Sequence, residues 1–142
     1  MPLLEQVLER YPRDVKLVYK FFPLRMHKFA KPAAIAAKAA GRQGKFWEFH
    51  DELFRDFNRL NEAKFDEIAE KLNLDMERFK RDRQDPALIS AIDKDVQEGF
   101  QVGVRGTPTI FINGRRLKQR SMQGFQAIID SELAKLRQTE KQ

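Results

Sequence analysis

At 142 residues the chain has the length of one domain, and 42% hydrophobic with 34% charged residues is the balance of a folded globular protein rather than a disordered one. A formal net charge of +6 raises nucleic acid as a partner, but Lys and Arg are interleaved with Asp and Glu along most of the chain, the pattern of a solvated surface, so nucleic acid is disfavoured. There is no cysteine, which removes disulfides, thiolate metal sites and thiol catalysis by these residues together, and no apolar run approaches the length of a membrane span.

The N-terminus, Met1-Pro2-Leu3-Leu4-Glu5, lacks the basic-then-apolar pattern of a signal peptide, and localisation is left open. Leu3, Leu4, Val7 and Leu8 recur at helical spacing, and Tyr11-Pro12 ends that helix. Val15, Leu17, Tyr19 and Phe21 then alternate with other residues, which predicts a strand with one buried face, stopped by Pro23. Pro32 suits a first helical position, Ala33 to Ala40 continue that helix, and Gly41 ends it. Phe46, Phe49, Leu53 and Phe57, widened by Trp47 and Phe54, form the next helical stripe.

Asn61 is placed to cap a helix carrying Phe65, Ile68, Ala69 and Leu72, and Asp75 a short one carrying Met76 and Phe79. Asp85-Pro86 opens a helix with the stripe Ile89, Ile92, Val96, Phe100, and Gly103 closes it. Ser121 caps a last helix with Phe125, Ile128, Ile129, Leu133 and Leu136 expected inward; a frayed polar tail from Gln138 to Gln142 is expected after it.

Between the last two helices lies the most informative stretch, Gly103 to Gly114. Thr107-Pro108 precedes a β-branched run, a setting where the tertiary X-Pro amide admits a cis bond. Asn113-Gly114, between Ile110-Phe111-Ile112 and Arg115-Arg116-Leu117, has the composition of a two-residue hairpin turn, because both residues tolerate positive φ.

Four segments in order, Lys16 to Leu24, the Ala-rich helix, Gly44 to Asp51 and Gly103 to Gly114, resemble the DsbA-like branch of the thioredoxin superfamily. The resemblance implies an α/β, thioredoxin-like fold with a helical insertion. It implies one domain over 1–142, with sheet parts at 1–24 and 103–137 and the insertion at about 29–102. The family's activity is disulfide oxidation, reduction or isomerisation, its members are mostly extracytoplasmic, and its cis-proline loop holds an extended polypeptide. Here that loop is Arg105, Gly106, Thr107 and Pro108. The family's first central strand and Cys-x-x-Cys have no counterpart in the sequence, so no catalytic residue and no cofactor are assigned. Strand edges left open by that gap have three resolutions: direct pairing of the two flanking strands, a second copy filling the gap, or a truncated product of limited stability; of these a homodimer is the expectation. The expectation is therefore a redox-inactive relative of disulfide oxidoreductases, with a non-enzymatic peptide- or protein-binding module as the alternative.

The remaining candidates have plainer readings. His27 and His50 match no metal-binding spacing, and no metal is expected. Glu48, Asp51 and Glu52 read as the solvated face of one helix. Trp47, Phe46, Phe49, Phe54 and Phe57 read as core. Arg115, Arg116, Lys118 and Arg120, which could contact phosphate, read as a charged hairpin edge that discourages aggregation.

Overall fold

The computed structural model describes residues 1–141. The chain forms two compact units, one from Met1–Tyr19 with Thr107–Gln142 and the other from Lys20–Gly106.

The first unit holds α1 (Pro2–Arg10), the hairpin strands β1 (Phe111–Ile112) and β2 (Arg115–Arg116), and α7 (Met122–Glu140). Its core gathers Val7 and Tyr11 from the α1 end, Leu117 from just beyond β2, and Phe125 and Ile129 from α7. Each such side chain taken from water contributes on the order of 1.5–3 kcal/mol. The Tyr11 hydroxyl donates to Asp130 Oδ1 at 2.7 Å, tying the end of α1 to α7. Burial and that carboxylate both push the phenol above its usual range.

The second unit is helical: α2 (Ala30–Gly41), α3 (Phe46–Arg55), a 3-10 turn (Phe57–Arg59), α4 (Glu62–Lys71), α5 (Met76–Arg83) and α6 (Pro86–Gln101). Alanines make α2 its hub: Ala36, Ala39 and Ala40 are fully buried, and small side chains let α3, α4, α5 and α6 all pack on one helix. Phe49, Phe65, Phe79 and Ile92 fill the space between them. The three caps expected here are made, Asn61 to the Lys64 amide at 2.8 Å, Asp75 to that of Arg78 at 3.1 Å and Asp85 to that of Ala87 at 2.9 Å.

Several sequence expectations are corrected. No strand forms over Val15–Phe21: among the described residues the only ladder is β1–β2. The burial alternation is present, with 15, 17, 19 and 21 more buried than 16, 18 and 20. The segment thus has a strand's side-chain period without a ladder, since pairing needs a second strand that periodicity cannot supply. Pro32 sits in the third position of α2, still inside the turn whose amides lack helical partners. In the aromatic stripe only Phe49 is core; Trp47, Phe54 and Phe57 are exposed, because α3 buries one narrow face through Phe49, His50 and Leu53. Leu88 is buried and Phe100 exposed on α6, and Leu136 is exposed on α7, beyond the end of the core. The tail is helical through Glu140, and within it the Thr139 hydroxyl donates to the Lys135 carbonyl at 3.0 Å; Gln142 lies outside the described residues.

Candidate functional site

The site is built on the hairpin. Asn113 (φ 49°) and Gly114 (φ 80°) both have positive φ, the conformation a two-residue turn needs to match strand twist. This pairs Ile112 with Arg115 and Phe111 with Arg116. The Leu117 amide extends the pairing by donating to the Ile110 carbonyl at 2.8 Å. Alternation then sorts the side chains: Ile110, Ile112 and Leu117 pack on the core, while Phe111 and Arg116 are exposed. In an antiparallel ladder every second residue turns its amide and carbonyl away from its partner strand. With Ile110 bonded toward Leu117, that residue is Phe111, and no strand among the described residues pairs along its edge.

The chain enters β1 through Thr107–Pro108, whose peptide bond is cis. Thr107 and Pro108 are both exposed. Beside them lies an open cleft of about 360 Å³, walled on one side by residues 108–110 and on the other by Arg116, Leu117, Lys118 and Arg120. The second wall is shaped by the start of α7. Ser121 caps that helix by accepting from the Gly124 amide at 3.1 Å, and the Ser121 amide donates to the Gln119 carbonyl at 3.0 Å. Gly124 permits this closure, since a Cβ there would stand 2.1 Å from the Gln119 carbonyl oxygen.

The electrostatics are one-sided. From Gly99 to Ile129 there is no Asp or Glu, while five cations (Arg105, Arg115, Arg116, Lys118, Arg120) fall in the stretch. It therefore carries five of the six units of formal net charge. Arg115 is engaged by Glu132 at 3.2 Å and holds that carboxyl below its usual range. Arg116, Lys118 and Arg120 are exposed, and among the described residues their side chains make no ion pair or hydrogen bond.

Of the four loop residues expected to bind polypeptide, Thr107 and Pro108 belong to the unit with the hairpin, while Arg105 and Gly106 close the helical unit. The sequence reading treated the basic residues after β1 as an edge device and missed the cleft and the role of Gly124. The signal within reach was the long carboxylate-free stretch. The other candidates do not gather into a site. His27 is exposed beside the Phe57 ring. His50 is buried among Phe46, Trp47 and Phe54, with Nδ1 3.2 Å from Asp51 Oδ1. Among the described residues no three His, Asp or Glu side chains are grouped to hold a metal ion.

Comparison with known proteins is concordant on the fold. A family model described as thioredoxin matches residues 2–131. The solved structure of a thioredoxin-like oxidoreductase from Silicibacter pomeroyi superposes with a TM-score of 0.81 at 27% identity, covering 95% of this chain and 77% of that one. Among curated proteins, the Na(+)/H(+) antiporter NhaA 3 of Salinispora tropica is 40% identical over 116 residues, 81% of this chain and 18% of the antiporter. NhaA 1 of Salinispora arenicola is 41% identical over 104 residues, 72% of this chain and 16% of the antiporter. The chain thus spans less than a fifth of the length of these curated relatives. No helix among its described residues is long and apolar enough to cross a membrane.

Proposed function

The chain belongs to the thioredoxin superfamily as a DsbA-like protein with a helical insertion, and from that premise we propose that these 142 residues hold an extended segment of another protein without running redox chemistry of their own. Disulfide exchange begins with a thiolate attacking a disulfide sulfur. With no cysteine present, no atom here can form the mixed disulfide, so any exchange on this scaffold draws its sulfur from outside these residues. The antiporter relatives' ion transport is not carried over, because the shared part is so small a share of those proteins.

The observation that carries the reading is the open edge of β1 running directly out of the exposed Thr107–Pro108 turn. An extended peptide laid along it gains main-chain hydrogen bonds from the Phe111 amide and carbonyl, and where it passes the exposed Pro108 it comes to the cleft that this residue lines.

Fluorescence anisotropy with a reduced, alkylated unfolded polypeptide tests the holding function. The expected result is saturable binding, weakened several-fold in Pro108→Ala, which removes part of the cleft wall; absence of binding overturns the reading. An insulin-reduction assay tests the redox half, and turnover above buffer by the purified chain would refute it. The same edge suits β1 of a second copy, and light scattering over a concentration series distinguishes a dimer from a monomer.

A further inference from the structure

The proposed holding function leaves the chemistry of the held segment open, and the cleft bears on it. Three cations, Arg116, Lys118 and Arg120, line one wall within five residues of chain, and none is committed to a carboxylate of the fold. Their neighbour Arg115 is committed, to Glu132. The rest of the lining, Pro108, Thr109, Ile110 and Leu117, contains no charged side chain. Like charges gathered without counter-ions repel one another, and a ligand carboxylate that enters between them relieves that repulsion as well as forming its own contacts.

We propose that the cleft selects acidic polypeptide: the extended segment held beside Pro108 places Asp or Glu side chains between Pro108 and the Arg116, Lys118 and Arg120 wall. The inference rests on the holding function proposed above. The occupant is argued to be polypeptide for two reasons. The cations share their cleft with Pro108, at the exposed turn that leads into β1, and β1 keeps an unpaired edge that offers a peptide main-chain hydrogen bonds. The cleft lining also has no aromatic side chain on which a nucleobase would stack, and its volume of about 360 Å³ suits one or two side chains.

Three labelled peptides of one extended sequence, differing only in Glu, Gln or Lys at alternate positions, test this by anisotropy titration, with a single-stranded oligonucleotide run alongside. At low salt the Glu peptide is expected to bind about ten-fold more tightly than the Gln peptide, with the Lys peptide weakest. Raising ionic strength from about 0.02 to 0.2 M should erase most of that preference. The triple variant Arg116→Gln/Lys118→Gln/Arg120→Gln should bind Glu and Gln peptides alike while keeping the parent's affinity for the Gln peptide. Arg115→Gln, whose guanidinium is spent on Glu132, should keep the preference. Equal binding of Glu and Gln peptides to the parent chain would overturn acid selection and leave the holding function standing. No binding of any peptide would overturn both. Tighter binding of the oligonucleotide than of the Glu peptide would replace this assignment with a nucleic-acid surface.

Discussion

The helical unit over residues 20–106 ties several of its cations into the packing of its helices, and the hairpin of the other unit leaves Arg116, Lys118 and Arg120 untied. In the first, Arg83 joins Glu62 and Asp66 while lying over the Phe65 and Phe79 rings. Arg42 bridges Asp82 at 3.1 Å and Asp85 at 2.8 Å, and Lys71 reaches across from α4 to Glu52 on α3 at 3.0 Å. In the second, Arg115 has Glu132, but Arg116, Lys118 and Arg120 have no carboxylate within the stretch from Gly99 to Ile129 to meet. Charge spent between helices fixes packing, whereas charge left at the rim of a cleft is available to something that arrives. Both regions are rich in Lys and Arg, but Asp and Glu lie among those of the helical unit and are missing from the hairpin stretch.

The sharpest way to break this comparison is to ask where stability resides. Phe79→Ala empties a fully buried ring site between helices and removes a partner of Arg83. It should cost about 3–5 kcal/mol in urea unfolding. A loss under about 1 kcal/mol would mean that the Phe79 site is not the tightly packed core its burial indicates.

Gly124→Ala comes next. Its added Cβ must displace the Gln119 carbonyl, a backbone group with little freedom. The expected cost is about 1–3 kcal/mol, with the cationic wall moved and peptide binding weakened alongside. Unchanged stability would show that the Lys118–Arg120 turn is not held by this close approach.

The smallest effect is on acid stability. The Asp85 carboxyl is held below its ordinary range first by the Ala87 amide and then by Arg42, and that of Asp56 by Lys64. A depressed carboxyl stabilises the fold above its unfolded pKa and loses that contribution as pH falls through the folded value. Urea midpoints should therefore be flat from pH 7 to about 5 and decline below about 4, the unperturbed carboxylate range. Asp85→Asn should reduce the steepness of that decline. An unchanged slope would remove Asp85 from the charge network of the helical unit.

Most helix starts were legible in the sequence because their signals are local. Asn61, Asp75, Asp85 and Ser121 each cap within three residues of themselves, and a cap is a short-range hydrogen bond that the sequence nearly spells out. The Asn113-Gly114 turn is local in the same sense. The misreadings of burial and strand pairing were non-local. Whether Trp47, Phe54, Phe57, Phe100 and Leu136 are covered depends on which helix arrives opposite, and periodicity gives a face but not its width. The alternation from Val15 to Phe21 was real in burial yet formed no ladder, because a strand is a property of two segments.

On its own, then, the sequence determined the absence of cysteine, most helix ends, the hairpin turn and the kinship, since each rests on residue identity or on neighbours along the chain. Tertiary structure alone decided that Pro108 and the cations Arg116, Lys118 and Arg120 line one cleft, that Gly124 shapes the turn before α7, and that those three cations are left without carboxylates. Pairing and enclosure depend on distances through space between residues far apart in the chain, and those distances are set only when the whole core packs.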